Sequence, residues 1–261
     1  MMKGRAISGG RAEGVAITYP EAFSFLGGVD GRTGELIPRD GNIGGRVFLF
    51  PKGKGSTVGS YVVYDLRVSG HAPAAIVNRT AETIVTTGAV ISSVPMVDGI
   101  DVSIVRDGDV LAVDGDAGTV EIKGVEERHV ATAMVAVDGK VLLLRRPEGA
   151  RSFPGGWSLV SGGVEGDETP LEAARREVRE ETGIAVGMPD GSLPEFRIRE
   201  GGTVWVVHPV LFRLEEAEVA LNGENAAYEW LPAAEAAARE GLVDGVGDVI
   251  EGFAKLLRGP R

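Results

Sequence analysis

Cysteine is absent from the 261 residues of this chain. That excludes disulfides, thiolate zinc sites, cysteine nucleophiles and cysteine-ligated iron–sulfur clusters within it. Histidine is scarce: His71, His129 and His208 lie far apart in sequence and form no compact metal motif. A metal held here would rest mainly on oxygen ligands, which favours Mg²⁺, Mn²⁺ or Ca²⁺. Long hydrophobic runs are missing too. The strongest, Val204 to Phe212, is interrupted by His208 and Pro209, far short of the ~20 residues a membrane helix needs. The opening Met1-Met2-Lys3-Gly4-Arg5 has no apolar core behind it, so no secretory signal is expected and the chain reads as cytoplasmic, without a membrane partner. Basic runs are also lacking, which argues against nucleic acid as a partner.

What is present is a globular composition, 43% hydrophobic and 25% charged, with a net charge of −11. The charge is uneven: residues 1–124 carry 12 Lys/Arg against 14 Asp/Glu, and residues 125–261 carry 15 against 24. The length suits two medium domains. The expected division is a first domain over residues 1–123, a polar linker at 124–128 and a second domain over 129–261.

The first domain is rich in glycine and β-branched residues. Strands are expected at Gly14–Tyr19, Arg46–Phe50, Ala75–Val77, Thr83–Val85, Val102–Val105, Val110–Val113 and Thr119–Ile122. A helix is expected over Ser56–Val68, where Val58, Tyr61, Val62 and Leu66 follow helical spacing. Turn dipeptides at Asp107-Gly108, Asp114-Gly115 and Ala117-Gly118 suggest a β-meander over residues 102–122. In the second domain, Val130–Val137, Asp138-Gly139 and Lys140–Leu144 read as a hairpin. A loop at 146–156 follows, then a strand near Trp157–Val160, a helix, a strand at Val204–Phe212, a short helix over Ala233–Ala238, and a last helix at about Val246–Leu257.

The helix in the middle carries the chemistry. Thr169 suits an N-cap, Pro170 the first helical position, Glu172 completes a capping box, and Gly183 suits the C-cap. A helix from Pro170 to Thr182 follows, with Leu171, Ala174 and Val178 as its apolar stripe. Glu177, Glu180 and Glu181 then share one face at i, i+3, i+4. The wider pattern is Gly162, five residues, Glu168, seven residues, Arg176-Glu177-Val178, one residue, Glu180-Glu181, one residue, Gly183-Ile184. It resembles the Nudix box of the Nudix hydrolase family at every fixed position, and the resemblance covers roughly residues 128–255. It implies an α/β fold with a mixed sheet sandwiched by helices, and Mg²⁺- or Mn²⁺-dependent cleavage of a small-molecule diphosphate. It also implies Glu177, Glu180 and Glu181 as metal ligands or water-activating groups. Arg176 would orient the neighbouring glutamate, Glu168 would support the site from the loop as a further metal-binding residue, and the Gly162 carbonyl would be a further ligand. Glu165, Glu224 and Glu229 are further candidates for the general base.

In the first half, Lys3–Gly10 (KGRAISGG), Ser24–Asp30 (SFLGGVD) and Phe50–Tyr61 (FPKGKGSTVGSY) resemble the small, swivelling subunit of the aconitase X family. Its archaeal members act as phosphomevalonate dehydratase in the mevalonate route to isoprenoids. The resemblance implies a swivelling β/α domain and a serine base on the glycine-rich loop. Ser56 is the choice, Ser60 the alternative, and Gly53, Lys54, Gly55 and Thr57 are the substrate-binding residues. It also implies an iron–sulfur cluster held only in a separate large subunit, consistent with the lack of cysteine here. Swivelling phosphohistidine domains offer a second analogy with His71 as the modified residue, but the serine loop argues against it.

Two readings follow. One is a fusion of a dehydratase small subunit with an active Nudix hydrolase. In the other only one half is catalytic, the Nudix domain sensing a diphosphate metabolite or the swivel domain docking a partner.

Overall fold

The structure, a computed structural model, describes residues 1–257. The chain divides into two compact units, Met1–Val125 and Glu126–Arg261.

The first unit is built on eight strands: β1 (Met2–Lys3), β2 (Arg5–Ser8), β3 (Arg11–Thr18), β4 (Val47–Lys52), β5 (Ala75–Thr80), β6 (Met96–Asp98), β7 (Val110–Asp114) and β8 (Thr119–Ile122). They form one sheet in the order β1-β8-β7-β3-β4-β5-β6-β2. The middle, β3-β4-β5-β6, is parallel, and the pairs toward either edge are antiparallel. Central strand β4 is a continuous apolar run, Val47-Phe48-Leu49-Phe50, fully buried, as expected of a parallel strand covered on both faces. Phe48 and Phe50 meet Phe23 and Phe25 in an aromatic cluster with ring centroids 4.8–6.1 Å apart. Such pairs add stabilisation beyond the area they bury. Short helix α1 (Phe25–Gly28) and longer helices α2 (Gly59–Val68) and α3 (Thr83–Ile91) complete the unit.

Three expectations for this half need correction. Thr83–Val85 is the first turn of α3, not a strand. Its β-branched residues favour a strand by propensity, but the Glu82 carboxylate accepts from Ile84 N–H at 3.2 Å and Val85 N–H at 3.3 Å and starts a helix. Val102–Ile104 is a single 3₁₀ turn begun by Asp101, whose carboxylate accepts from Ser103 N–H at 3.2 Å. The expected meander is therefore only the β7–β8 hairpin. Helix α2 starts at Gly59, after a turn over residues 56–58, rather than at Ser56.

The second unit has strands β9 (Glu126–Val137), β10 (Lys140–Arg145), β11 (Trp157–Ser158), β12 (Val160–Gly163), β13 (Gly191–Ser192), β14 (Phe196–Glu200), β15 (Thr203–Leu214) and β16 (Ala227–Pro232). Helices α4 (Pro170–Thr182), α5 (Ala233–Ala237) and α6 (Val246–Leu257) complete it. The sheet is mixed: β9 and β15 run parallel along their whole length, and the other pairings are antiparallel. Asp138 (φ 48°) and Gly139 (φ 74°) make the β9–β10 turn, the positive-φ pair that an Asp-Gly hairpin requires. β9 begins at Glu126, so residues 126–128, expected in a linker, are strand.

Alternation along β9 feeds two cores. Ala131, Ala133 and Val135 join Ala173, Ala174 and Val178 of α4 on one face. Met134 and Ala136 join Val246, Val249, Ile250 and Phe253 of α6 on the other. The sheet is therefore sandwiched by helices, the expected Nudix arrangement. The α4 stripe is shifted from expectation: Leu171 is only partly buried, while Glu177 and Glu181 lie on the buried face.

Candidate active sites

In the second unit, α4 is fixed at its start by the expected capping box. Thr169 Oγ1 accepts from Glu172 N–H at 3.3 Å, and the Glu172 carboxylate accepts from Thr169 N–H at 2.7 Å. Gly183 closes the helix at φ 73°. Thus anchored, α4 lies against β12 so closely that a Cβ on Gly162 would fall 1.8 Å from the Glu177 carboxyl carbon. A side chain there would have to displace the Glu177 carboxylate.

Arg176 organises the cluster. Its guanidinium donates to Glu168 at 2.6 and 3.2 Å, to Glu177 at 2.5 Å, to Glu180 at 3.3 Å and to the Gly163 carbonyl at 2.8 Å. The hydrogen bonds to Arg176 hold Glu168 below the usual carboxylate range, aided by Glu165 N–H at 2.7 Å. Both Glu168 oxygens are thus engaged, and the residue acts here as a clamp on Arg176. Glu177 is 8% exposed and Glu181 7% exposed. Burial raises the Glu177 pKa despite Arg176, with the charges of Glu180 and Glu224 adding to the effect. Burial, then the charge of Glu177, pushes Glu181 up to about 8, although it accepts from Asn225 Nδ2 at 3.1 Å.

The first unit presents its own loop. After β4, Gly53 bridges to Phe23, and Lys54 N–H donates to the Phe23 carbonyl at 2.9 Å. Gly55 has φ +106°, and a Cβ there would lie 2.6 Å from Ser24 Oγ; a side chain is doubly disfavoured. Ser56 is exposed, and its hydroxyl accepts weakly from Val58 N–H at 3.4 Å. Ser60 is 8% exposed, and its hydroxyl donates to the Thr57 carbonyl at 2.7 Å. Among the described residues, no acceptor takes the N–H groups of Gly55, Ser56 and Thr57. Free amides just ahead of a helix, with Lys54 beside them, suit an anion. His71 lies past the far end of α2, where its N–H caps the Leu66 carbonyl at 2.8 Å.

The predicted residues therefore fall into two sets. One is Gly162, Glu168, Arg176, Glu177, Glu180 and Glu181; the other is Gly53, Lys54, Gly55, Ser56 and Thr57. Of the further acids, Glu224 is close enough to influence Glu177 and Glu181, and Glu165 contributes its backbone N–H to Glu168. Glu229 lies elsewhere, paired with Arg239 at 3.0 Å beside Trp157. Sequence reasoning missed Asn225, which lies in a loop 44 residues from its partner Glu181.

No metal motif of three His, Asp or Glu converges ready-made among the described residues. The donors nonetheless fit a hard divalent cation. They are all oxygens, and the buried Glu177–Glu181 pair carries a mutual repulsion that such an ion would relieve.

Residues 1–122 match the family model of the aconitase X swivel domain, and residues 127–253 match that of the NUDIX domain. The phosphomevalonate dehydratase small subunit of Thermococcus kodakarensis is 53% identical over 126 residues, covering 46% of this chain and 95% of that protein. The corresponding Methanocaldococcus jannaschii subunit is 47% identical over 126 residues, covering 46% and 96%. Among solved structures, Thermococcus kodakaraensis aconitase X in its holo-form covers 46% of this chain and 95% of that one, at 53% identity and a TM-score of 0.46. A MutT protein from Methanosarcina mazei covers 53% and 100%, at 29% identity and a TM-score of 0.44. The chain belongs to the aconitase X swivel family through residues 1–122, and its residues 127–253 carry the match to the NUDIX domain.

Proposed function

We propose that the chain is a fusion of a phosphomevalonate dehydratase small subunit with a Nudix hydrolase that cleaves a diphosphate linkage. For the hydrolase half, one observation carries the reading: Arg176 gathers Glu168, Glu177 and Glu180 beside Gly162, while Glu181 stays buried against Glu177. Glu177, Glu180 and Glu181, with the Gly162 carbonyl, would hold Mg²⁺ or Mn²⁺. That ion would supply charge neutralisation at the phosphate oxygens and lower the pKa of a water. The chain's own part is to fix the carboxylates through Arg176 and to offer one of them as the proton acceptor.

In the dehydratase half, Ser56 is the base and Gly53, Lys54, Gly55 and Thr57 are the substrate-binding residues. The support is that Ser56 is exposed among free amides, whereas the Ser60 hydroxyl is occupied by Thr57. A serine needs its developing alkoxide stabilised to act as a base, and those amides with Lys54 offer that. The partner is a separate large subunit holding the iron–sulfur cluster.

The first experiment is a Mg²⁺-dependent hydrolysis screen of the full chain, with Glu180→Gln as control. The panel holds nucleoside di- and triphosphates, ADP-ribose, dinucleotide polyphosphates and isoprenoid diphosphates. Turnover that Glu180→Gln abolishes supports the hydrolase. No turnover of any compound, with intact capture of a cysteine-bearing large subunit, would make the second unit a sensor instead.

A further inference from the structure

His129 and His208 lie 79 residues apart in sequence, yet the parallel pairing of β9 with β15 sets them side by side. His129 continues the row of Ala131, Ala133 and Val135 along β9, and His208 that of Val210 and Phe212 along β15. Residues two apart on a strand share a face, so the pair stands on the face of the sheet that α4 covers further along. The near-parallel rings, 15° apart in plane, meet at their nitrogen-bearing edges, with His129 Nδ1 2.9 Å from His208 Nε2. Each outer nitrogen faces a carboxylate: His129 Nε2 lies 3.7 Å from Glu127, and His208 Nδ1 lies 3.8 Å from Glu195. Arg197 holds Glu195 by its other oxygen at 3.1 Å. Among the described residues, neither histidine bonds to Glu168, Glu177, Glu180 or Glu181, so this is a second cluster in the unit.

A proton count shows what this row of four side chains lacks. A neutral imidazole carries one N–H, so the pair has two protons for its four ring nitrogens. Three contacts want one each: Glu127 with His129, His129 with His208, and His208 with Glu195. Every neutral arrangement therefore leaves one lone pair facing another, or facing a carboxylate. A third proton would complete the row, but above the ordinary histidine pKa of ~6.5 it is not held as a rule. A metal cation completes it instead: both N–H groups turn outward to the carboxylates, and both inner lone pairs point at the ion. A ligating histidine that gives its other N–H to a carboxylate is the usual outer arrangement of metal sites. Imidazole nitrogen suits Zn²⁺, Cu²⁺ or Ni²⁺, whereas all-oxygen donors select Mg²⁺. An ion at ~2.0–2.1 Å from each nitrogen needs the rings to open slightly, and the His129 side chain, 48% exposed, has room to give.

We propose that His129 Nδ1 and His208 Nε2 bind a divalent transition-metal ion of the Zn²⁺, Cu²⁺ and Ni²⁺ class, oriented by Glu127 and Glu195. The chain supplies two ligands, and water completes the coordination. The site stands apart from the carboxylate cluster and does not depend on the hydrolase reading. It ties β9 to β15, and the His129 carbonyl accepts from Val164 N–H at 2.9 Å, so the tied strand also anchors the segment that leads to Glu168.

The test titrates the full chain with Cu²⁺, the tightest-binding ion of its row, in excess Mg²⁺ that competes for the carboxylate cluster. Electron paramagnetic resonance reads the ligands. The wild type is expected to bind one Cu²⁺ whose hyperfine pattern shows two imidazole nitrogens. His129→Ala and His208→Ala should each lose that pattern, and His71→Ala should keep it. Glu180→Gln should keep it too, so a failure of the hydrolase reading leaves this site standing. Glu127→Gln combined with Glu195→Gln should keep the nitrogens but weaken binding by roughly 10- to 100-fold, the usual effect of losing outer partners. Zn²⁺ calorimetry should follow the same order of variants. An all-oxygen pattern in the wild type, no binding, or a two-nitrogen pattern that survives in either alanine variant overturns the proposal. Binding within twofold of wild type in the double glutamine variant overturns the role given to the two carboxylates. If an alanine variant melts far below wild type, the corresponding glutamine variant, which keeps a polar side chain but no imidazole, is read in its place.

Discussion

Gly162 shows how a single missing side chain positions a site. The Glu177 carboxylate occupies the space where a Cβ would stand, and Arg176 holds it from the other side at 2.5 Å. Gly162→Ala must therefore move the carboxylate. Displacing a reacting group by about 1 Å can cost on the order of 10²-fold in rate. The expected result is hydrolysis reduced by about that factor, measured as kcat with Mg²⁺ saturating. The carboxylate face was legible in the sequence because i, i+3, i+4 spacing is local and the helix signals were strong. Asn225 was not. It comes to the cluster from a loop whose path is set by the whole sheet, and it carries no periodic signal.

At the scale of elements, α4 and α3 show what end signals decide. α4 has a capping box at one end and a left-handed glycine at the other, and its span, Pro170–Thr182, is the one expected. Thr169→Ala removes one half of the box and is expected to cost about 1 kcal/mol, within the usual 0.5–2 for such caps; urea denaturation of the second unit would measure it. α3 is the contrary case. Thr83, Ile84 and Val85 favour a strand by side-chain shape, and Glu82 is an unusual cap, so propensity misled where a side chain–backbone bond decided. Strands β13, β14 and β16 went unseen for a different reason. They are short or irregularly exposed, and their pairing with β15 and β10 is a long-range property that no local pattern announces.

At the scale of the whole molecule, the two units carry separate cores, and their stabilities should respond to different perturbations. In the first unit, Asp98 joins β6 to β2 through Arg5 at 2.7 Å and accepts from Ala81 N–H at 3.2 Å. Burial alone would raise its pKa, but the hydrogen bonds from Arg5 and Ala81, with the charge of Arg5, outweigh it and leave it below the ordinary value of 3.8. A carboxylate with a lowered folded pKa stabilises fully above its unfolded pKa and loses that contribution as pH falls through the folded value. The first unit should therefore weaken below pH 3.8, and Asp98→Asn should flatten that part of its acid denaturation curve. In the second unit, Phe253 of α6 is fully buried against the sheet. Phe253→Ala is expected to cost about 3–5 kcal/mol and to abolish Mg²⁺-dependent hydrolysis at temperatures where wild type is active. Because none of that core belongs to the first unit, the variant should still capture the large subunit at wild-type yield. A loss of capture in Phe253→Ala, measured by copurification at a temperature where the second unit alone has melted, would mean that the first unit depends on the second for its fold.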